Sequence, residues 1–378
     1  MNKIKVLEII QQGEIGGGES HLLTLLSKLD RNRFEPIVIA LSDGEMINRL
    51  NVMGITNYVV NSRLPFNFMV WKKMRRILEE NSINVIHTHG ARALSNIIYP
   101  ASALKIPVVH TVHGWSFHDY LPSWKRKLRI MGEKFLTGKT KMNIVVSESN
   151  KQIGIRELGD FPCRVVNNGV DLAIYNRHDK NKSIRKEFNI PERALLVSFV
   201  ARFIHDKNPL PLIRAFKRAQ QNHPDMYMLM VGDGPARPDA IKLAGELAIN
   251  NHIFFPGFRS DVPAILAASN IFCLPSIKEG LPVSLIEAMA MGNAAIASAV
   301  QGCTDVVTDG VDGLLVDMEE LESGLSSVLQ RLADEPEFLQ QLATEGRKTV
   351  ERRFDAITMT HHIENIYLEL ISQSNTSK

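Results

Sequence analysis

Apolar residues in the first half of the chain fall into short continuous runs. Ile4–Ile10, Pro36–Leu41, Asn57–Val60, Val85–His89, Val108–Val112, Ile144–Val146 and Arg164–Val166 read as strands. Between most of them, apolar positions three and four apart, as in Ser20–Leu29 and Ala91–Leu104, read as helices. Apolar runs that are continuous rather than alternating, separated by helices, predict a parallel sheet covered on both faces. The pattern then restarts. Leu195–Ala201, Tyr227–Val231, Ile253–Phe255, Ile271–Leu274, Ala294–Ala297 and Leu314–Val316 read as strands, and Pro209–Gln221, Asp239–Ala248, Val262–Ala268 and Val283–Met291 as helices. The polar, irregular stretch Asp171–Arg193 is the natural linker, and Glu319–Ser372 is nearly all helical by pattern. A break near Phe354–Asp355 leaves Ile357–Ile371 as a separate terminal helix, with the tail beyond Ile371 expected to be disordered.

This predicts an α/β protein of two doubly wound domains, 1–175 and 185–354, facing a cleft, with helix 357–371 returning to the first. Ligands bind at the carboxyl ends of strands in such sheets. A length of 378 residues suits two domains.

Composition adds three points. Cys163, Cys273 and Cys303 are far apart with no C-x-x-C spacing, which argues against a disulfide framework or structural zinc. The start does not read as a signal peptide, and the apolar stretch Pro282–Val300 is interrupted by Glu287 and Asn293, so a cytoplasmic protein is expected. Charge is uneven. Residues 1–175 hold 23 Lys and Arg against 15 Asp and Glu, whereas the remainder is net acidic. That asymmetry suggests that one half meets an anionic partner.

Several stretches can carry chemistry. After Ile4–Ile10 comes QQGEIGGGES, where Gly16, Gly17 and Gly18 would permit positive φ and close ligand approach at a helix N-terminus. It is not G-x-G-x-x-G, and a plain strand-to-helix turn is the alternative. Arg202 and Lys207 follow Leu195–Ala201. A guanidinium and an ammonium five residues apart can bracket a diphosphate, although such a pair can equally be solvated. Met228–Pro235 (MLMVGDGP) ends in a turn allowed by Gly232 and Gly234, with Asp233 at the strand tip.

The sharpest stretch is Leu274–Ser298. Gly280, Leu281 and Pro282 lead into a helix beginning near Pro282 or Val283, whose first free amides suit a phosphate. Glu279 precedes that helix and Glu287 lies inside it. Glu287 could be a solvated helix position, but its neighbours Leu285, Ile286, Ala288 and Met289 are apolar, so a buried carboxylate with a partner is expected.

Taken together, the sequence resembles the family 4 glycosyltransferases of the GT-B fold over nearly its whole length. The resemblance is carried by GGGE, His113-Gly114, NNGVD at Asn167–Asp171, VARFIHDKN, VGDGP, Pro256–Phe258, EGLPVSLIEAMAMG and VQGCTDVVTDGVDGLLV. Asp305 departs from it mildly, since the family often has Glu there. The resemblance implies that Arg202 and Lys207 neutralise the donor diphosphate, that Glu279 contacts the transferred sugar and that Glu287 contacts the ribose. It also implies that Gly280, Leu281 and Pro282 line the phosphate and sugar pocket, that Gly17 lies by the reacting phosphate and that His113 lies by the sugar. From the residues themselves, the free amide of Val283 reads as a further donor contact, and Gly232 as either a donor contact or a structural turn. The implied reaction retains anomeric configuration, joins a nucleotide-sugar donor to a glycan or lipid-linked acceptor, and belongs to cell-surface polysaccharide or glycolipid synthesis. No enzyme nucleophile is implied.

No Asp-x-Asp occurs, so neither a metal nor another cofactor is expected, with the Arg202/Lys207 pair in place of a cation. His87, His89, His110, His113 and His118 cluster near strand ends. A metal site is conceivable there, but His89 and His113 read better as polar contacts and His110 as a packed strand residue. Pro122–Lys141 holds seven Lys or Arg against one Glu, including Lys125, Arg126, Lys127 and Arg129 beside Trp124. A basic amphipathic helix of this kind reads as an acceptor-side or membrane face. A solvated face is the bland alternative, and nothing resembles a base-reading motif. Two rivals remain at this point: a nucleotide-sugar 2-epimerase of the same architecture, and a subunit that binds nucleotide sugar without catalysis.

Overall fold

The computed structural model describes residues 3–117, 121–176 and 183–376. It divides into two compact units, residues 1–169 with 356–378, and residues 170–355. The division falls before position 175 because the Val170 amide donates to Phe354 O at 2.8 Å and Val170 bridges to Asp355. Residues 177–182 of the expected linker, and His118 to Tyr120, lie outside the described residues.

The first unit alternates β1 (Ile4–Ile10), α1 (Gly17–Lys28), β2 (Phe34–Ala40), α2 (Glu45–Val52), β3 (Thr56–Val59), α3 (Phe68–Glu80), β4 (Val85–His89), α4 (Ala91–Ala103), β5 (Val108–Val112), α5 (Ser123–Thr137), β6 (Met142–Val145), α6 (Glu148–Leu158) and β7 (Cys163–Val165). All pairings are parallel, in the order β3-β2-β1-β4-β5-β6-β7. The order reverses between β1 and β4, and the carboxyl ends at such a reversal are where ligands bind in open sheets of this kind.

The second unit runs α7 (Ser183–Glu187), β8 (Leu195–Val200), α8 (Pro209–Asn222), β9 (Met226–Val231), α9 (Arg237–Glu246), β10 (Ile253–Gly257), α10 (Val262–Ala268), β11 (Ile271–Leu274), α11 (Val283–Ala290), β12 (Ala294–Ser298), α12 (Cys303–Val306), β13 (Leu314–Val316), α13 (Leu321–Asp334) and α14 (Pro336–Arg353). Its parallel order β10-β9-β8-β11-β12-β13 reverses between β8 and β11. The short helix α7 is no free linker. Ile184 is buried, and the Arg185 guanidinium donates to the carbonyls of Ala268 and Ala194, each at 3.0 Å.

The last helix, α15 (Ala356–Thr376), belongs to the first unit. Met359, Ile363, Ile366, Tyr367 and Leu370 pack against Val6, Phe34, Val109 and Ile144, which covers one face of the first sheet. The helix continues past Ile371, where disorder was expected. Among the described residues no helix is long and apolar enough to cross a membrane.

Candidate active site

In the second unit the chemistry gathers at the ends of β8 and β11, where the strand order reverses. β8 leads into Arg202, which is exposed, and into a 3-10 turn at His205–Lys207. Asn208 then takes a left-handed φ of 48°, and its side chain donates to Pro275 O at 3.0 Å, which ties this loop to the one after β11. The Lys207 ammonium donates to Oε1 of Glu279, and the Ser276 hydroxyl donates to the same oxygen at 2.6 Å. Glu279 is nearly covered, with a side chain 9% exposed. Arg202 makes no side-chain hydrogen bond to Lys207 or Glu279 among the described residues.

Two glycines set this geometry. Gly232 has φ 130°, and a Cβ there would lie 2.0 Å from Ala201 O. The VGDGP loop can therefore lie against the chain just before Arg202. Gly302 has φ 83°, and a Cβ would meet Gly280 O at 2.7 Å and Glu279 O at 2.8 Å. Gly280 follows Glu279, and the buried Leu281 and Pro282 lead into α11. No side chain caps α11, so the amides of its first turn, beginning at Val283, have no intrahelical acceptor and concentrate positive potential beside Glu279.

Glu287 lies one turn further in. Its Oε1 accepts the Tyr175 hydroxyl at 2.6 Å, and burial pushes its carboxyl up to about 7, partly offset by that hydrogen bond. Arg347 holds Tyr175 in place by donating to its carbonyl at 2.5 Å, and also donates to Ala290 O. Sequence reasoning missed Tyr175, Ser276 and Arg347. Only Ser276, three residues before Glu279, lay close enough to be signalled.

In the first unit the ends of β1, β4 and β5 meet at a buried polar cluster. Glu8, at 0% exposure, accepts His89 Nε2 at 2.8 Å and the Tyr367 hydroxyl at 2.8 Å, and lies 3.2 Å from His87 Nδ1. Burial opposes its charge, yet His87 and His89 hold its carboxyl well below the usual range. His87 Nε2 also reaches Thr111 Oγ1 at 2.7 Å. His89 Nδ1 faces His113 Nε2 at 3.0 Å, and His21 packs edge-on against His113 with ring centres 4.9 Å apart. Burial pushes His89 down to about 4 and His113 well below its ordinary value, so both are neutral near pH 7. His110 pairs with the Thr88 hydroxyl at 2.8 Å inside the sheet. Glu8 and His21 were not foreseen, and His118 lies outside the described residues.

The glycine loop departs from expectation. None of Gly16, Gly17 and Gly18 has positive φ; Gly16 is extended at −136°. What the loop supplies is space. Nothing lies within 4 Å of a Cβ built on Gly17, whereas one on Gly18 would touch the His113 ring at 3.4 Å. Glu19 turns back to accept the Gly16 amide at 3.1 Å.

The basic helix α5 also differs in detail. Arg126, expected on the open basic face, pairs with Glu157 of α6 at 2.9 Å, and Arg129 donates to Ser116 O at 2.5 Å. Lys125 and Lys127 are exposed. So are Trp124 (65%), Leu128 (62%), Met131 (68%) and Phe135 (41%), a single row at helical spacing.

Among the described residues, two groups bring their ligand atoms within 4.8 Å of one another: His21, His89 and His113, and Glu8, His87 and His89.

Comparison with known proteins fits this arrangement. Residues 15–174 match the family described as Glycosyltransferase Family 4, and residues 180–349 match the one described as Glycosyl transferases group 1. The chain belongs to the family 4 glycosyltransferases. It is 25% identical, over 98% of each chain, to the UDP-Gal:alpha-D-GlcNAc-diphosphoundecaprenol alpha-1,3-galactosyltransferase of Escherichia coli. It is 24% identical to the N-acetyl-alpha-D-glucosaminyl L-malate synthase of Bacillus anthracis, over 86% of this chain and 84% of that one. Among solved structures it matches Anabaena Alr3699/HepE in complex with UDP and glucose, with a TM-score of 0.84 at 22% identity, covering 96% of this chain and 99% of that one. The glycosyltransferase thus has the GT-B fold.

Proposed function

We propose that this glycosyltransferase moves a sugar from a uridine diphosphate donor to a glycan or lipid-linked acceptor, with retention of anomeric configuration and without a metal ion. The observation that carries the reading is Lys207 held on Glu279 beside the uncapped start of α11. A diphosphate entering there meets the Lys207 ammonium, the Arg202 guanidinium and the helix amides, three sources of positive potential where β8 and β11 end. Lys207 then transfers part of its hydrogen bonding to the diphosphate, and Glu279 turns to hydroxyls of the sugar. Glu287 takes the ribose. Gly17 and His113 serve the reacting phosphate and the transferred sugar. Catalysis in such a site rests on positioning and on stabilising the charge that develops on the leaving diphosphate.

The donor class is supported by HepE, solved with UDP and glucose and with UDP-glucose, and by the E. coli relative, whose name specifies UDP-Gal and a diphosphoundecaprenol-linked acceptor. Metal independence is supported by the cationic pair and by the hydrogen bonds of the histidine cluster, where both ring nitrogens of His87 and of His89 are engaged. Retention rests on the family alone. We place the acceptor at the cytoplasmic face of an anionic membrane. The α5 row continues into Phe66, whose ring lies 6.1 Å from Phe135, and is flanked by Lys125 and Lys127.

The test is a thermal-shift screen against nucleotide sugars, followed by a transfer assay. A donor at 100 times its Kd stabilises by about 2.7 kcal/mol, or very roughly 5–10 °C in melting temperature for a domain of this size. If no nucleotide sugar shifts melting, the reading fails. Transfer that persists after exhaustive chelation, and a product whose anomeric configuration matches the donor's by NMR, are the expected results for the finer points.

A further inference from the structure

We propose that Glu8 and His89 are positioning residues for the transfer reaction: through a continuous hydrogen-bond chain they decide which ring nitrogen of His113 carries its proton. The proton is placed on Nε2, and Nδ1 is left as an acceptor for a hydroxyl of the transferred sugar. The inference rests on the reading above that His113 meets that sugar.

The hydrogen-bond chain starts at the carboxylate. Glu8 lies in the carboxyl-terminal half of β1 with no exposed surface, and an ionised carboxylate only accepts. His89 Nε2, 2.8 Å from Glu8 Oε2, must therefore carry a hydrogen. A neutral imidazole has one N–H, so His89 Nδ1 is bare and accepts. Its partner at 3.0 Å is His113 Nε2, which must donate. His113 is neutral as well, and its Nδ1 is consequently a lone-pair acceptor. Among the described residues Nδ1 makes no hydrogen bond, and His113 is only partly buried. The ring cannot readily flip to reverse the assignment. His21 closes on it from one side, and α1 approaches it so closely that a Cβ on Gly18 would touch its Cδ2 at 3.4 Å. Tyr367 completes the frame by donating to Glu8 Oε1 at 2.8 Å, which keeps the other carboxylate oxygen for the histidines.

A fixed acceptor at His113 has a chemical consequence. It favours a sugar whose facing hydroxyl donates, and it orients that hydroxyl without adding a positive charge beside a reaction centre from which an anion departs.

The experiment uses the full-length protein labelled with 15N-histidine. Long-range 1H–15N correlation spectra report the tautomer of each ring, and the loss of one set of signals in His113→Gln assigns His113. The expected result is Nε2–H on both His89 and His113. In Glu8→Gln, an amide that donates to His89 Nε2 reverses the chain and moves both protons to Nδ1. The kcat for transfer then falls on the order of 100-fold, while UDP affinity is unchanged. His113 protonated at Nδ1 in the wild type overturns the inference, and that spectrum decides whether or not Glu8→Gln folds. Reversal in Glu8→Gln with undiminished kcat also overturns it. Binding and turnover of a donor with the other tautomer sinks this inference alone, whereas failure of every nucleotide sugar to bind brings down the functional reading and this inference together.

Discussion

Lys207 and Glu279 are joined across 72 residues of sequence, and the Glu279 oxygen that accepts from the ammonium also accepts from the Ser276 hydroxyl. Each charge fixes the other at the point where β8 and β11 diverge. Lys207→Ala leaves a nearly covered carboxylate facing the incoming diphosphate with no cation between them. We expect kcat/KM for transfer to fall about 100- to 1000-fold. The double variant Lys207→Ala/Glu279→Ala should lose less than the product of the two single losses, because the residues act as a unit. Initial-rate kinetics on the three variants check this, and unchanged turnover in Lys207→Ala would remove the charge argument.

Glu287 gives the site a pH dependence. Burial raises its carboxyl from 4.5 to about 7 in the folded protein, against the hydrogen bond from Tyr175. Between those values the folded protein holds more protons than the unfolded chain, so this group makes stability fall as pH rises from 4.5 to 7 and level off above. In Glu287→Gln that contribution is absent. Melting temperatures measured across the window should move in the variant's favour, relative to wild type, as pH rises. Ribose hydroxyls donate best to the ionised form, so wild-type UDP affinity should climb through pH 7 while the variant's stays flat. Equal slopes in both proteins would show that Glu287 does not titrate there.

How much of this was legible in sequence follows from where each signal resides. β8 and β11 announce themselves because both faces of a parallel strand are covered and the runs Leu195–Ala201, broken only by Ser198, and Ile271–Leu274 are apolar. Glu287 could be suspected because apolar neighbours on a helix imply burial. Glu8 could not. It looks like one of two stray charges, with Lys5, in an otherwise apolar strand, and its partner Tyr367 lies 359 residues away, beyond the reach of any periodicity. The Gly16–Gly18 loop shows the opposite error: glycine suggested left-handed backbone, yet its use is clearance for His113 and open space at Gly17. On α5 the amphipathic pattern revealed a helix, but pattern alone cannot tell a covered apolar row from an exposed one.

That row makes a prediction of its own. Trp124, Leu128, Met131 and Phe135 are large and exposed, and Lys125 lies over the Trp124 ring at 5.3 Å. Burying a Leu or Met side chain in an interface yields about 1.5–3 kcal/mol. Leu128→Asp or Met131→Asp should therefore weaken binding to anionic vesicles by at least about tenfold at low salt, with melting temperature and UDP affinity unchanged. Co-sedimentation with vesicles of anionic and of zwitterionic lipid measures it. Absence of affinity for anionic vesicles in the wild type would remove the membrane face from the proposal.

Gly302 and Gly310 separate two kinds of glycine requirement. Both have positive φ, 83° and 72°. A Cβ on Gly310 would meet nothing within 4 Å, whereas one on Gly302 would collide with Gly280 O, Glu279 O and Glu279 C at 2.7–2.9 Å. Gly310→Ala therefore carries backbone strain alone, about 1 kcal/mol or somewhat more, and should lower melting temperature slightly without changing kcat. Gly302→Ala adds a backbone clash that only movement of the Glu279–Gly280 segment can relieve. It should cost more stability and shift the carboxylate that Lys207 and Ser276 hold. An error near 1 Å in a positioned group can cost on the order of 100-fold in rate. Kinetics and melting curves on both variants test this. Equal kcat in the two would mean that the contact between Gly302 and the Glu279 loop does not set the catalytic geometry.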